Sequence, residues 1–389
     1  MRVIGTVFPW RSGNRFELLV DGPVFFPRML AAIEAAQRCV DLELYLAELG
    51  ACSEQILPAL VRAAERGVTV RCLFDGYGSL GLGEWLQRLE ESPVQLRLYN
   101  PTGWRHGLLN LYRDHRKLLV CDGELAYVGG TGITDQFWTP EQDECEWHEV
   151  MVEMAGPVVS DWLQLFERQW QACHARTAWK PPLPISGAPI QPLPARPTGG
   201  NGWGRVAYAD ALQHRDILVS LLRSLRTSRQ RIWLATPYFL PTWSVRRALR
   251  KAAARGVDVR LLLTGPQTDN PPVRYAGQRY YPKLLRAGVR IFEYQPRFLH
   301  LKMVLVDDWL SVGSCNFDHW NLRFNLDANL EALDPALTAA AVECFNSDFA
   351  RSHEITMALW KARPRWMRLQ QRIWGWLNLL VANLFNRGR

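Results

Sequence analysis

Apolar residues along this chain form short continuous runs that alternate with segments in which they recur at helical spacing. Residues 56–67, ILPALVRAAERG, have the helical period and lead into the apolar run 68–74, VTVRCLF. Residues 244–256, SVRRALRKAAARG, lead in the same way into 257–263, VDVRLLL. The pattern predicts two helices, each followed by a buried strand. Gly67 and Gly256 end the two helical segments, where a left-handed residue is expected.

The similarity extends over both halves of the chain. Each half has an earlier strand (VDLELYLAE, RIWLATPYF), a later short strand (VQLRLYN, VRIFEYQ) and a closing helix, within 157–175 or 335–353. Helices alternating with strands predict an α/β fold. We expect two similar lobes, each a mixed, mostly parallel sheet flanked by helices. The predicted boundaries are a first lobe at 1–175, a Pro/Gly-rich linker at 176–203, a second lobe at 204–358 and a tail at 359–389.

One spaced motif, His-x-Lys-x-x-x-x-Asp, stands at the corresponding place of both halves. Its members are His115, Lys117 and Asp122 in HRKLLVCD, and His300, Lys302 and Asp307 in HLKMVLVD. His and Lys two residues apart in a strand point to the same face. A buried strand cannot leave two such groups unsatisfied, so they are expected to line a polar cleft.

A glycine-rich corner follows each motif. The first contains Gly129 and Gly130, and the second contains Gly313, Ser314 and Asn316. Such a corner lets the backbone approach a ligand and offers N–H groups to an anion. A single motif of this kind would arise by chance, but two at equivalent positions of similar halves predict a functional site.

The residue types of the paired motif fit phosphodiester chemistry. Two histidines supply a nucleophile and an acid near neutral pH. Two lysines neutralise a phosphodiester by electrostatic preorganisation without a metal. No Asp-rich cluster suited to magnesium is visible, so no metal and no cofactor are predicted. One histidine must be neutral and the other protonated, which predicts a bell-shaped pH profile.

The duplicated motif resembles that of the phospholipase D superfamily. The second copy's extension, GSCNFDHWNLRFNLDANLEA, is similar to the bacterial cardiolipin synthase version of it. The resemblance implies a pseudo-two-fold arrangement with one active site shared by the lobes. It further implies that His115 attacks phosphorus to give a phosphohistidine, and that His300 protonates the leaving alcohol and then deprotonates the incoming one. Lys117 and Lys302 would hold the non-bridging oxygens.

The resemblance also assigns supporting residues. Asn316 would help the second lysine, and Ser314 would contribute to substrate binding. Asp122 and Asp307 are grouped with the catalytic residues as members of the motif, although they look more structural than chemical, supporting the strands or the neighbouring histidines. The chain departs from the family at two positions, where Gly132 replaces a common Asn and Asp327 replaces a common Glu.

Two further carboxylates, Glu43 and Glu149, fall near the expected edges of the site. Each is either a strand-end carboxylate facing solvent or a hydrogen-bond partner that orients a catalytic histidine. We include both among the candidate substrate-binding residues.

The net charge of +8 is concentrated near the C-terminus, because residues 361–389 hold seven Lys or Arg and no acid. This tail is also rich in tryptophan, and its apolar stretch after Arg372 is too short to span a bilayer. It predicts an amphipathic helix at a membrane surface. The alternative is a helix that packs on the second lobe.

The predicted function is that of a phosphatidyltransferase making cardiolipin from phosphatidylglycerol and a second phospholipid. The alternatives are a phospholipase D-type hydrolase or nuclease with the same histidines, and a catalytically inactive membrane scaffold. The expected partners are an anionic phospholipid membrane and a small alcohol or lipid acceptor, and nucleic acid is not expected. The expected location is peripheral, on the cytoplasmic face of the bacterial inner membrane. The acceptor, the attacking histidine and the oligomeric state stay open.

Overall fold

The computed structural model describes residues 8–142, 145–173, 199–210, 214–318 and 324–374, the last range without residues 365, 367 and 372. The predicted linker therefore lies almost wholly outside the described residues, as do residues 375–389 of the tail.

The first lobe contains nine strands and four α-helices within the described residues. Its strands are β1 (Arg11–Val20), β2 (Cys39–Leu44), β3 (Thr69–Asp75), β4 (Gln95–Tyr99), β5 (Arg113–Asp114), β6 (Leu118–Cys121), β7 (Leu125–Gly129), β8 (Trp147–His148) and β9 (Val150–Ala155). Its helices are α1 (Gly22–Ala35), α2 (Ser53–Glu65), α3 (Glu84–Glu91) and α4 (Val158–Ala172), with short 3-10 segments at Leu80–Leu82 and Trp104–Leu111.

The second lobe repeats this order. Its strands are β10 (Gly202–Asp210), β11 (His214–Arg215), β12 (Arg231–Thr236), β13 (Asp258–Thr264), β14 (Arg290–Tyr294), β15 (Phe298–Leu299), β16 (Met303–Val306), β17 (Trp309–Gly313), β18 (Asn325–Leu333) and β19 (Ser352–Glu354). Its helices are α5 (Asp216–Thr227), α6 (Trp243–Ala254), α7 (Pro271–Gln278), α8 (Tyr281–Leu285), α9 (Pro335–Ala350) and α10 (Met357–Ala362).

Both sheets are mixed, and their strand orders correspond. The first runs β1-β9-β7-β6-β2-β3-β4. The second runs β10-β18-β17-β16-β12-β13-β14-β19. The α/β fold and the two similar lobes are confirmed. The expectation of mostly parallel sheets was wrong, because within the two sheets only β2-β3-β4 and β12-β13-β14 pair in parallel. The motif strands β6 and β16 return through tight turns into β7 and β17, and a tight turn makes antiparallel neighbours.

The two predicted helix ends are confirmed by backbone geometry. Gly67 and Gly256 have φ of 90° and 88°, a region that residues with a Cβ rarely adopt. Each follows the helix that precedes a central parallel strand, so the chain turns into that strand at the same place in both lobes.

The motif strands are buried on both faces. Alternate residues of β6 contribute to two different cores: Leu118 and Val120 pack in an interior shared by the lobes, while Leu119 and Cys121 pack under the outer helices. The strand β16 divides its side chains in the same way between the shared interior and the second lobe's own core. The continuous apolar runs LLVC and MVLV are the sequence form of this double burial.

Three strand pairs cross between the lobes. The strand β1 pairs antiparallel with β10, and β5 and β8 pair in parallel with β18 and β15. The strand β5 directly precedes His115, and β15 directly precedes His300. These pairs therefore fix the backbone of each motif against the opposite lobe.

Candidate active site

The first motif histidine is held by the second lobe. The His115 N–H donates to the Leu326 carbonyl at 2.9 Å. Its ring Nδ1 lies 3.0 Å from Asp327 Oδ1 and 3.1 Å from the Ser314 carbonyl. The Tyr45 ring lies beside it, with centroids 5.0 Å apart. Because Nδ1 faces two acceptors, it carries the proton, and Nε2 keeps its lone pair.

The second motif histidine is held in the same way by the first lobe. The His300 N–H donates to the His148 carbonyl at 2.9 Å, and its Nδ1 donates to Glu149 Oε2 at 2.6 Å. Trp147 stacks on the ring at 5.1 Å. The Lys302 Nζ lies 2.9 Å from His300 Nδ1 and 3.0 Å from its Nε2, so this ammonium faces both ring nitrogens.

The charges of the two motif lysines act on groups of both motifs. The Lys117 Nζ donates to the His115 carbonyl at 2.6 Å, and the Lys302 Nζ donates to the His300 carbonyl. The charge of Lys302 lowers the pKa of both Lys117 and His115, and the charge of Lys117 lowers the pKa of His300. Each motif therefore lies within the field of the other, as a shared site requires.

Burial lowers the pKa values of all four groups, and a neighbouring lysine charge lowers those of His115, His300 and Lys117 further. Burial, then Lys117, lowers the pKa of His115 to about 4, and burial, then Lys302, lowers that of His300 to about 3. Burial lowers the pKa of Lys117 to about 7 and that of Lys302 to about 8. Both histidines are therefore neutral at pH 7 in this structure, which differs from the prediction of one neutral and one protonated ring. The positive field suits a bound anion, whose charge would raise these pKa values.

The glycine corners make room for the acids that hold the histidines. A Cβ at Gly130 would lie 2.1 Å from Glu149 Oε2, and one at Gly129 would lie 2.4 Å from the Val150 carbonyl. The Ser314 Oγ donates to Asp327 Oδ1 at 2.8 Å. Gly130 and Ser314 contact the acids that orient the histidines and Gly129 packs against the next strand, whereas the prediction placed all three on the substrate.

Asn316 is the corner residue best placed for a ligand. It is buried, and its side-chain oxygen has no hydrogen-bond partner among the described residues. A buried amide oxygen of this kind is costly unless a further group binds there.

The two motif aspartates lie away from the histidines. The four-residue strand β6, about 13 Å long, separates Asp122 from Lys117. The Asp122 carboxylate accepts backbone N–H groups of residues 37, 38 and 39, and that of Asp307 accepts those of residues 229, 230 and 231. Both residues have left-handed backbones, with φ of 54° and 51°. They anchor the start of β2 and β12, as the structural interpretation expected. They do not support the histidines, and the structure gives no basis for grouping them with the catalytic residues.

Glu43 matches neither alternative predicted for it. It is fully buried, and its Oε1 lies 3.6 Å from Arg116 Nη1. Arg116 stands between His115 and Lys117, so strand alternation turns it to the opposite face. Glu43 therefore belongs to a buried charge cluster behind the site. Burial and the neighbouring Asp114 raise its pKa well above the ordinary value.

Asp327 is the site residue that the sequence-based site prediction omitted. Gly129 pairs with Met151, and Gly313 pairs with Asn329, so Glu149 and Asp327 stand at the same register, two residues before these partners. Aligning the two halves beyond the glycine corners would have found it.

Two cavities flank the histidine pair. A cavity of about 590 Å³ adjoins His115 through Tyr45. One of about 750 Å³ adjoins His300 through Trp147 and Phe298 and also has Asp269 and Arg297 in its wall. Space for two groups therefore exists on the two sides of the site.

The described part of the tail contacts the second lobe but leaves apolar side chains outside. The Gln371 Nε2 donates to Gln278 Oε1 at 2.7 Å. Its exposed large apolar residues, at helical spacing, are Trp366, Leu369, Ile373 and Trp374. Within the described residues, no helix is both long and apolar enough to cross a bilayer. The tail thus packs on the second lobe through Trp360 and Gln371 and keeps the exposed face that an interfacial helix needs.

Comparison with known proteins matches the same two regions. The family described as "Cardiolipin synthase, PLD-like domain" matches residues 29–170 and 221–349. The chain is 33% identical over 383 residues to cardiolipin synthase A of Pseudomonas aeruginosa (strain UCBPP-PA14). This alignment covers 97% of this chain and 74% of that protein. It is 32% identical over 369 residues to cardiolipin synthase A of Pseudomonas entomophila (strain L48), and that alignment covers 94% of this chain and 74% of the relative.

The fold is also found in solved structures. The phosphatidylserine synthase of Haemophilus influenzae Rd KW20 superposes with a TM-score of 0.72 at 13% identity, covering 95% of this chain and 94% of that one. The polyphosphate kinase of Porphyromonas gingivalis superposes with a TM-score of 0.58 at 16% identity, covering 89% of this chain and 49% of that one. At these identities the superpositions establish the architecture of two lobes.

Proposed function

This chain belongs to the cardiolipin synthase family of PLD-like enzymes, and on that premise we propose that it transfers a phosphatidyl group through a phosphohistidine. The donor is phosphatidylglycerol, the acceptor is the glycerol hydroxyl of a second phospholipid, and the product is cardiolipin. The related synthases support the lipid substrate class.

The observation that carries the proposal is the crossed pairing of histidines and acids. His115 is oriented by Asp327 of the second lobe, and His300 is oriented by Glu149 of the first. A carboxylate on Nδ1 fixes the tautomer and aims Nε2 at the substrate. Two imidazoles aimed from opposite lobes, with two lysines between them, suit an in-line displacement at one phosphorus.

The contacts of Nε2 favour His115 as the nucleophile. Within the described residues no hydrogen bond is found at His115 Nε2, whereas the Lys302 ammonium lies 2.9 and 3.0 Å from the two ring nitrogens of His300. A nucleophile needs its lone pair, so His115 is ready to attack and His300 is placed to handle protons.

The proposed reaction has two steps. His115 Nε2 forms a bond to phosphorus as the P–O bond to glycerol breaks, and His300 gives its proton to the departing glycerol oxygen. The acceptor hydroxyl then forms a new P–O bond, its proton passes to His300, and the P–N bond breaks. The anionic phosphodiester offsets the lysine charges that hold the pKa of His300 low, so binding favours the protonated acid.

The remaining assignments follow from the same site. Lys117, Lys302 and Asn316 would hold the phosphodiester oxygens, and the apolar face of the tail would rest on an anionic membrane. A peripheral position on the cytoplasmic face of the inner membrane would give access to phosphatidylglycerol. A bilayer is favoured over nucleic acid because exposed tryptophans suit its interface.

The test is product analysis with purified protein and vesicles of labelled phosphatidylglycerol. We expect cardiolipin and free glycerol, and we expect neither from His115→Ala or His300→Ala. Acid-labile label retained on His300→Ala but not on His115→Ala would identify the attacking residue. Phosphatidic acid alone, or cleaved oligonucleotide without lipid product, would instead establish the hydrolase alternative. Unchanged transfer in both alanine variants would refute a role for the histidines.

A further inference from the structure

The cavity beside His115 contains a buried cation that the mechanism above leaves unused. Its walls are formed by Tyr45, Tyr77, Thr102, Gly103, Trp104, Asn110, Leu111 and Arg113. Four of these side chains are aromatic or aliphatic, Thr102 and Asn110 are polar and uncharged, and Arg113 is the one that carries a charge.

Arg113 is incompletely paired. Its side chain is only 8% exposed, and its Nη1 lies 3.2 Å from Asp75 Oδ1. Its Nε and Nη2 have no hydrogen-bond partner among the described residues. Asp75 also accepts the Asp114 N–H at 2.8 Å, so its charge is shared. A buried guanidinium with unsatisfied donors in an open cavity is suited to bind an anion, and phosphate matches its geometry.

The position of Arg113 relative to the nucleophile sets the spacing of two anions. Arg113 and His115 are two residues apart on an extended segment, so their side chains leave the same face about 6.6 Å apart. The pairing of β5 with β18 holds this segment in place. A lipid with two phosphates joined by a three-carbon bridge would span such a gap.

We propose that this cavity is the site of the acceptor phospholipid and that Arg113 binds its phosphate. The assignment rests on the proposed function and adds where the second phospholipid binds and which side chain holds its phosphate. The acceptor hydroxyl then lies near the phosphorus on His115, where it forms the new P–O bond and gives its proton to His300.

The mouth of the cavity favours a lipid over a free alcohol. The segment Trp104–Leu111 leaves Trp104 86% and Leu108 69% exposed. Other exposed large apolar residues of the loops that follow β2 and β3 are Leu49, Tyr77 and Leu80. The carboxyl ends of adjacent parallel strands meet at one sheet edge, so these loops share that edge. An apolar rim around a cationic cavity matches the acyl chains and the phosphate of a bilayer lipid.

The experiment compares two reactions of one enzyme. Phosphatidylglycerol vesicles are supplied with labelled glycerol, and both cardiolipin formation and incorporation of label into phosphatidylglycerol are measured. The two reactions share the donor step and differ in the acceptor. In Arg113→Gln we expect the ratio of cardiolipin to exchanged lipid to fall about 10- to 100-fold, because this is the effect of losing one hydrogen bond to a charged group. Arg113→Lys keeps the cation but not the planar set of donors, so it is expected to retain more of the ratio than Arg113→Gln.

The outcomes separate the two proposals. If wild-type protein forms neither product, the proposed function fails. If wild-type protein forms both and Arg113→Gln lowers them in equal proportion, the acceptor site is refuted while the proposed function stands. A ratio lowered equally by Arg113→Lys and Arg113→Gln would also count against phosphate binding by Arg113, since the charge would then not matter.

Discussion

At the scale of single residues, the decisive feature is that each histidine depends on a carboxylate from the other lobe. Glu149 and Asp327 are both buried, and each lies within hydrogen-bonding distance of an Nδ1. These carboxylates fix which nitrogen faces the substrate and stabilise the imidazolium when it forms.

Glu149→Gln and Asp327→Asn are therefore expected to lower the transfer rate about 10²- to 10⁴-fold each. The amides keep the shape but lose the charge. Initial rates of cardiolipin formation, with thermal unfolding as the folding check, measure the effect. Glu17→Gln is the matched control, because Glu17 pairs with Arg28 on the surface. Full activity of Glu149→Gln would remove the acid from the mechanism.

The pH dependence follows from the same four groups. The pKa of His115 lies at about 4 and those of Lys117 and Lys302 at about 7 and 8. The value of kcat, which reports the complex in which the bound phosphodiester keeps His300 protonated, is expected to rise at or above about pH 4 as the nucleophile loses its proton. It is expected to fall above pH 7 to 8, as the lysines lose the charges that bind the phosphodiester.

Assays between pH 3.5 and 9.5 with a short-chain phosphatidylglycerol in detergent test this profile. Lys117→Arg should extend the alkaline limb, because a guanidinium stays charged. An alkaline limb that does not move in Lys117→Arg or Lys302→Arg would assign it to another group.

The sequence identifies some of the site residues correctly and misplaces others. His115, Lys117, His300 and Lys302 were identifiable because the motif is duplicated. The burial of Glu43 was not, because the partner that holds it inside, Arg116, is determined by strand alternation and by packing across the sheet.

At the scale of elements, the turns that follow the motif strands matter for stability. Asp307 accepts three N–H groups at the start of β12, and its pKa is lowered by these bonds despite partial burial. Its contribution is present above the unfolded pKa and is lost as pH falls through the lower folded value.

Asp307→Ala is expected to lower the free energy of unfolding by about 1–3 kcal/mol. The left-handed backbone adds to this cost. Urea unfolding at pH 7 gives the value, and the difference from wild type should shrink towards pH 3. Asp308→Ala, at the exposed neighbouring position, should change stability by less than about 0.5 kcal/mol. Equal effects of the two variants would contradict the anchoring role.

The exposed segment Trp104–Leu111 makes a separate prediction. Trp104→Ala with Leu108→Ala removes two side chains, each worth about 1.5–3 kcal/mol when buried in an apolar phase. Vesicle sedimentation should therefore show binding to phosphatidylglycerol membranes weakened about tenfold or more.

The control for this variant lies at the other end of the second sheet. Trp203 and Leu333 are 48% and 41% exposed and pair with each other. They stand six residues along β18 from Asp327, about 20 Å away. Trp203→Ala with Leu333→Ala should leave vesicle binding near the wild-type level. If both double variants lose binding alike, general apolarity and not this loop mediates docking.

Helices and strands were predictable because their periods are local. The antiparallel pairing of β6 and β16 was not, since apolar runs report burial on two faces and carry no strand direction.

At the scale of the whole molecule, the lobes are joined by a buried ionic cluster behind His300. His148 Nδ1 lies 2.7 Å from Asp21 Oδ1 and its Nε2 lies 3.0 Å from Asp348 Oδ2. The two carboxylates raise its pKa well above the ordinary value, although burial opposes them. A protonated His148 thus bridges an acid of each lobe, and its carbonyl holds the backbone of His300.

His148→Ala is expected to cost up to about 3–5 kcal/mol, because it removes the buried partner of Asp348 and leaves that carboxylate, among the described residues, with only the half-exposed Arg351 as a cation. In wild type this contribution is complete below pH 6.5 and is lost only as pH rises through the raised folded value. Urea unfolding between pH 6 and 10 follows it. His353→Ala, at an exposed histidine, should be nearly neutral. A pH-independent deficit in His148→Ala would indicate that packing, not charge, joins the lobes here.

The repeat made two lobes and a shared site predictable, but not how the lobes exchange residues. Contacts such as that between His115 and Asp327 join positions far apart in the chain, and no local pattern encodes them.

That exchange has a consequence for how such an enzyme can be divided. Neither half possesses a complete set of proton-handling groups, so a fragment carrying one motif would be inert by itself. Two separately made halves would regain turnover only on reassembly. Each half would have to bring its own histidine and the carboxylate that orients the histidine of the other half. Complementation between such fragments would therefore report on docking and chemistry at once.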